Sequence, residues 1–278
     1  MAEKRMNDVT QSKNEKVSVI LPFFNNERYI EETINSVRMQ TWEDWELLAI
    51  DDGSTDASAE IVQRYCRMDQ RIRLIEHKHS GSSAARNRGI EEAEGRYIAL
   101  LDADDLWLPE FLEKQIGFLK EKEAICVCSS YGLIDADSKD IRRPVSAKPV
   151  ITVDDMMVTN YVGCMTGVYD SSKYGKVFLD PYLNSFRDDY AYWLKICRME
   201  GRIFCNQEVL AKHRVYGQST TGNKLRLVKV QYRFYRDYLK LGIGRSILNT
   251  AIWGMWGIRK YVIGWSRTAN RPLGDSDV

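Results

Sequence analysis

The stretch "VSVILPFFNNERYIEETINSVRMQTWEDWELLAIDDGSTD", residues 17 to 56, holds an apolar run, a helical repeat and a second apolar run in that order. "VSVIL" (17–21) and "WELLAI" (45–50) are short and apolar at nearly every position, as strands buried on both faces are. Between them Ile30, Ile34 and Val37 recur at i, i+4 and i+7, the spacing of one buried helix face. The same alternation continues outward. Further apolar runs are "RIRLIE" (71–76), "RYIALL" (96–101) and "AICVCS" (124–129). In "SSAARNRGIEEAEG", Ser82 or Ser83 is the expected N-cap and Gly95 the stop. Pro109 suits the first turn of "PEFLEKQIGFLKEK", where Leu112, Ile116 and Leu119 make the apolar stripe. The pattern predicts an α/β fold with a mostly parallel central sheet flanked by helices, and a ligand beyond the carboxyl ends of its strands.

Length and composition are compatible with that fold. The chain has 278 residues, enough for one large domain or one domain with an appendage, and a formal net charge of +1, which gives no sign of a nucleic-acid partner. Its six cysteines are scattered, with only a C-x-C close pair, so they read as reduced thiols in a cytoplasmic protein rather than as a zinc or redox site. Residues 1–16 are polar and lack the apolar core of a secretory signal; a disordered lead-in is expected.

The first four apolar runs lead in turn into "PFFNNE", "DDGSTD", "HKHSGSSAARN" and "DADD". All are polar or glycine-bearing, and all four are expected on one rim. Alone, "DDGSTD" is as readily an ordinary turn. "DADD" is harder to dismiss, because Asp102, Asp104 and Asp105 repel one another unless donors or a cation compensate, and a divalent metal with oxygen ligands is the simplest compensation.

With D-D-G-S-T-D, A-A-R-N-x-G, D-x-D and the later "RDDYAYWLKI" in this order, the chain resembles family 2 of the glycosyltransferases over roughly residues 17 to 220. The branch it looks most like builds bacterial surface polysaccharide, as lipopolysaccharide and teichuronic-acid glycosyltransferases do. The resemblance implies the Rossmann-like GT-A fold for nucleotide sugars over 17–222, with UDP the usual nucleotide and Mn²⁺ or Mg²⁺ on its diphosphate. It implies that Asp104 binds the metal, that Asp102 lies against the ribose or shares the metal, and that Ala103 between them lines the nucleotide-sugar site. Asp105 is left as a cap of the turn before Leu106.

By the same resemblance, Pro22, Phe23, Phe24 and Asn25 lie along the nucleoside. Asp52 bonds the base or ribose, with its neighbour Asp51 the alternative. Ser82 belongs to a loop that opens a helix, whose free N–H groups favour anions, and Arg86 faces a phosphate or the base unless it is only a surface charge. Family members invert the anomeric carbon, which needs a general base; Asp189 matches it and Asp188 is the alternative, both being otherwise plain N-terminal helix charges. The family's later histidine is replaced by Tyr216, while Arg214 is kept and His213 is expected on the opposite face.

Residues 223–278 form a basic, aromatic-rich region expected to be helical. From Lys224 to Arg267 there are ten Lys or Arg against one acidic residue, Asp237. "SILNTAIWGMWGI" (246–258) is too short to span a bilayer, so the choices are a helix in the membrane interface, a hairpin packed on the catalytic domain, or an oligomer contact. The expected setting is the inner face of the plasma membrane, with a glycan or lipid-linked acceptor. Other classes fit less well. A nucleotidyltransferase would want a glycine- and lysine-rich loop after the first strand and a dehydrogenase G-x-G-x-x-G, and "LPFFNNE" is neither. A non-catalytic sugar-nucleotide-binding protein would keep Asp52 and could lose Asp104 and Asp189, which are both present.

Overall fold

The structure, a computed structural model, describes residues 15–146, 148–183, 186–215 and 224–258. Most of the expected lead-in, Tyr216 and the tail beyond residue 258 lie outside the described residues. The first half alternates as expected: β1 (Val17–Phe23), α1 (Ile30–Arg38), β2 (Trp45–Asp51), α2 (Ser58–Met68), β3 (Ile72–Glu76), α3 (Ser82–Glu92) and β4 (Tyr97–Leu100). These strands lie in the order β3-β2-β1-β4 and are all parallel.

The second half departs from simple alternation. It comprises β5 (Leu106–Trp107), α4 (Phe111–Glu121), β6 (Cys126–Ile134), β7 (Asp140–Val145), β8 (Val150–Thr152), α5 (Val153–Met156), β9 (Val168–Asp170), α6 (Asp188–Glu200) and β10 (Arg202–Arg214). The sheet continues from β4 through β9, β6 and β10 to β5. Here β9 is antiparallel to both β4 and β6, whereas β6 and β10 are parallel. The result is a mostly parallel mixed sheet, in which the short β9 reverses direction between the two parallel groups.

Period-2 alternation divides each strand between two cores. On one face Val17, Val19, Leu21 and Phe23 of β1 meet Ile30, Ile34 and Val37 of α1 and Leu112, Ile116 and Leu119 of α4. On the other, Ile20, Leu48, Ile50, Ile98 and Leu100 meet Ala85 and Ile90 of α3 and the aromatic side of α6, Tyr190, Tyr192 and Trp193. Each fully buried side chain of this size contributes about 1.5–3 kcal/mol over its exposed state, so the three-layer arrangement follows from strands with apolar residues at both parities.

Three local expectations are corrected. The N-cap of α3 is Gly81 at φ 90°, not Ser82 or Ser83; only glycine adopts that backbone readily, and it frees both hydroxyls for other partners. The helix ends at Glu92, three residues before Gly95. Pro109 precedes α4 by two residues, in the turn, where its carbonyl accepts the Thr41 N–H.

After β10 come α7 (Lys224–Arg233), a π-helical turn (Phe234–Tyr238) and α8 (Ile243–Ile258). They pack on the body. Phe234 stacks on Tyr190 at 4.6 Å, the Tyr235 hydroxyl donates to the Val158 carbonyl, and Asn249 donates to the Met157 carbonyl at 3.0 Å. The outward side of α8 keeps Ile243, Ile247, Leu248 and Met255 more than half exposed, at 59, 57, 58 and 62 %. Among the described residues no helix is long and apolar enough to cross a membrane.

Candidate active site

The loops after β1, β2, β3 and β4 open on one rim, as the parallel register of those strands requires. Not every residue expected there faces outward. Pro22 and Phe23 are buried members of β1, and the Phe23 ring belongs to the core under α1, because it continues the parity of Val17, Val19 and Leu21. Phe24, at the opposite parity, is exposed and tilts against His79 with ring centroids 4.5 Å apart. Asn25, at φ 50°, ties two loops together: its N–H donates to Ser54 Oγ and its Oδ1 accepts the Thr55 N–H at 2.8 Å.

Asp51 and Asp52 are both buried and engaged. Asp51 Oδ1 accepts the Ser54 N–H at 2.8 Å, which shapes its own turn. Asp52 holds the loop after β3: its two oxygens accept the N–H groups of Ser80 and Gly81 at 2.9 Å, and His77 Nδ1 lies 3.1 Å from Oδ1. His79 Nδ1 bonds the Asp52 carbonyl at 2.8 Å.

The "DADD" turn is fixed from beneath. The Ala103 methyl is in the core and its carbonyl accepts from Thr33 Oγ1 at 2.9 Å, so its side chain cannot meet a ligand. Asp105 is buried and does more than cap a turn, since its carboxylate bonds His213 Nδ1 at 3.0 Å and the Arg214 N–H at 2.9 Å. His213 therefore reaches this loop rather than turning away from it. The fully buried Arg214 guanidinium donates to the carbonyls of Asp104 (2.8 Å) and Asp135 (3.1 Å), to Ser138 Oγ and to Glu32 Oε2 (2.7 Å), under the Tyr29 ring. With these supports the Asp102 and Asp104 side chains, both partly exposed, stand at the rim.

Arg86 is neither a surface charge nor a lone anion receptor. It is buried between two carboxylates, with one amino group 2.5 Å from Asp102 Oδ1 and the other 2.7 Å from Asp188 Oδ2. Ser82 and Ser83 donate to the same Asp188 oxygen at 3.1 and 3.0 Å. The N-terminal turn of α3 does attract an anion, as helix N-termini do. The anion there is the protein's own Asp188, which takes the Ser82 and Ser83 hydroxyls.

The neighbouring carboxylate differs. Asp189 is partly exposed, and its Oδ2 accepts a bond from Asn160 Nδ2 at 3.1 Å. Burial and then the charge of Asp188 push its carboxyl up to about 6, against the pull of Arg86 and Arg187. A carboxylate of that affinity exchanges a proton near neutral pH, which is what a general base needs. Asp188, whose Oδ2 already takes three bonds, is the less available acceptor.

Some partners have no motif to announce them. Asn160 lies in an irregular segment. His77 and His79 belong to none of the family's motifs, although two of the chain's three histidines at i, i+2 after a strand place both rings on one side. All three histidines bond motif aspartates. Among the described residues no three His, Cys, Asp or Glu side chains converge to hold a metal by themselves. Asp102 and Asp104 are the two carboxylates at the rim that could share one with a bound phosphate.

Comparison with known proteins identifies the family and the fold. The family model for glycosyl transferase family 2 matches residues 18–190. The chain is 34 % identical over 226 residues to the protein assigned to teichuronic acid biosynthesis as glycosyltransferase TuaG of Bacillus subtilis, covering 81 % of this chain and 89 % of that one. It is 31 % identical over 246 residues to the UDP-Glc:alpha-D-GlcNAc-diphosphoundecaprenol beta-1,3-glucosyltransferase WfgD of Escherichia coli, covering 86 % and 93 %. Among solved structures, the mannosyltransferase PcManGT of Pyrobaculum calidifontis, in complex with GDP-Man and Mn²⁺, superposes with a TM-score of 0.64 at 16 % identity, over 91 % of this chain and 74 % of that one. The mixed sheet with its flanking helices is thus the GT-A fold, and the chain belongs to glycosyl transferase family 2 as a glycosyltransferase.

Proposed function

We propose that this enzyme moves a sugar, with inversion, from a UDP-linked donor to a hydroxyl of a glycan or lipid-linked acceptor during surface-polysaccharide synthesis. The observation that supports the reading is the Arg86 bridge, which ties the rim carboxylate Asp102 to Asp188, the residue next to Asp189. The names of two relatives support the substrate classes: WfgD is named for UDP-Glc and a diphosphoundecaprenol acceptor, TuaG for teichuronic acid.

In this reading Phe24, Asn25, Asp51 and Asp52 border the nucleoside. Asp104 and Asp102 would hold Mg²⁺ or Mn²⁺ together with the donor diphosphate; these ions are commonly bound by one or two carboxylates plus substrate phosphates, which fits the pair present here. When bound, the ion supplies Lewis-acid stabilisation of the charge that develops on the leaving nucleoside diphosphate. Asp189 accepts the proton of the acceptor hydroxyl while that oxygen attacks the anomeric carbon and the bond from sugar to phosphate breaks. Asn160 orients the carboxylate, and Arg86 offsets part of the charge that Asp102 and Asp188 gather around it. The basic α7–α8 region, with the exposed apolar side of α8 beside Lys240 and Arg245, suits the anionic inner face of the plasma membrane, where a lipid-linked acceptor would lie.

UDP is expected to bind with Mn²⁺ and only weakly with chelator, since its phosphates otherwise meet two carboxylates. Asp104→Asn is expected to lose both turnover and the metal dependence of UDP binding while staying folded. Titration calorimetry with and without Mn²⁺ checks this; metal-independent UDP binding by the unaltered enzyme removes the proposed role of Asp104.

Asp189→Asn should lower transfer by about 10²-fold or more with UDP affinity kept. It should also change stability, with a definite sign. A carboxyl held at about 6 in the fold, above its usual value near 4 when unfolded, contributes stability that is complete below about pH 4 and lost as pH rises through about 6. The variant should therefore be more stable than the parent at pH 7.5, by about 1–2 kcal/mol after discounting for partial exposure, and no more stable near pH 4. Urea unfolding at both pH values reads the difference; equal stability at pH 7.5 means the carboxyl is unperturbed.

Ile247→Asp combined with Leu248→Asp should abolish sedimentation with phosphatidylglycerol vesicles while leaving UDP binding intact. If the unaltered protein does not sediment with such vesicles, the outer side of α8 is not a lipid contact.

A further inference from the structure

Arg187, immediately before the two acidic residues, carries two local costs at once. It is the N-cap of α6 with φ 63° and ψ 18°, a left-handed conformation uncommon for a residue with a side chain. It also sets a cation at the positive end of a helix dipole, the reverse of the favourable arrangement. Two local rules broken at one position point to a purpose met elsewhere in the fold. The structure shows a compensating contact: the guanidinium carbon lies 4.9 Å from the ring centre of Trp253, which α8 contributes from 66 positions further along the chain. Indole is the best of the aromatic faces for a cation. Asn249, one turn earlier on α8, bonds the Met157 carbonyl and so fixes the helix against the segment that also carries Asn160.

We propose that Trp253 and Arg187 form a positioning pair for Asp189: the indole face holds the guanidinium at the start of α6, and its charge keeps the Asp189 carboxylate ready to accept a proton. This rests on the reading of Asp189 as the base. The pair makes α8 part of the active site's electrostatics as well as a packing element, because that helix supplies the ring on which the arginine rests.

Charges reach Asp189 from several elements. Asp188 on α6 and Asp102 after β4 disfavour its ionised form, while Arg86 on α3 and Arg187 favour it. Tyr131 of β6 and Cys164 of the turn at Cys164–Thr166 lie within range of its charge and keep their own protons, burial being the main cause for both. Asn160 adds a neutral donor. Of the two cations, Arg86 is already shared by Asp102 and Asp188, so Arg187 is the one whose removal changes Asp189 without dismantling that bridge.

The test is a pH titration of the full chain, without ligand, labelled with carboxyl-¹³C aspartate, the Asp189 resonance being assigned with Asp189→Asn. Losing the cation favours the protonated form, so Arg187→Gln should move the Asp189 midpoint up by about one pH unit. Trp253→Leu should move it in the same direction by less, whereas Arg187→Lys and Trp253→Phe, which keep a charge and an aromatic face, should stay near the parent. The acid limb of UDP release should move up with the midpoint in the same variants, and recover at high pH. An unmoved midpoint in Arg187→Gln overturns the proposal. So does a Trp253→Phe midpoint as far displaced as that of Trp253→Leu. If Trp253→Leu does not fold, Arg187→Gln decides alone. Failure of the base reading is a separate result, transfer undiminished in Asp189→Asn, and it is visible whatever the midpoints do.

Discussion

One buried guanidinium holds the two halves of the site together. Arg86 stands on α3 in the parallel half of the sheet, Asp102 follows β4, and Asp188 opens α6 in the second half. Burial alone would pull the arginine's proton affinity down, but the charge of Asp102 and the further groups around it hold it well above its ordinary value. Taking such a group out of water costs several kcal/mol, which close charged partners and good geometry must offset. Such bridges are therefore weak evidence for stability, and here the return is positional. Without it, Asp102 and Asp188 would repel, and the loop proposed to meet the donor diphosphate would have no fixed relation to the helix that carries Asp189.

Other contacts fix the segments that this bridge joins. Arg214, His213 and Thr33 fix the backbone of the "DADD" turn from below, so that Asp105 serves the fold while Asp102 and Asp104 stay at the rim. Asp52 fixes the loop leading into α3, and Gly81 turns the chain so that Ser82 and Ser83 point at Asp188. Two adjacent carboxylates thus receive opposite treatment. Asp188 takes three donors on its Oδ2, and Asp189 is left with a lighter hold and a raised proton affinity. The electrostatic contrast comes from the partners supplied by other segments, since the two residues are chemically identical.

Much of this is legible in the sequence because it is written locally. The β1, β2, β3 and β4 strands and the stripes of α1 and α4 follow from periodicity, and the four rim loops follow from the rule that parallel strands end together. The parity that puts Phe23 in the core and Phe24 outside is also available there, since Val17, Val19 and Leu21 set it. Contacts between distant segments are a different matter. Nothing near Arg86 foretells that partners 16 and 102 residues away will bury it. Ser82 and Ser83 look like caps because local chemistry favours serine there, yet a tertiary carboxylate outcompetes the helix for them. Asn160 and the Arg187–Trp253 contact have no motif at all. The antiparallel β9 is hidden for a related reason: three residues are too few to show a period.

The central claim is that Asp102 and Asp188 act as one unit through Arg86, and a double-mutant cycle on stability tests it most directly. Urea unfolding of Asp102→Asn, Asp188→Asn and the double variant at pH 7.5 gives the coupling. Removing either carboxylate also relieves its repulsion of the other, and only removing both strands the buried guanidinium. The double variant should therefore lose more than the sum of the single losses, by about 1 kcal/mol or more. Additivity within about 0.5 kcal/mol would mean that the two carboxylates are not coupled and do not act as one unit, and the bridge would cease to explain the site.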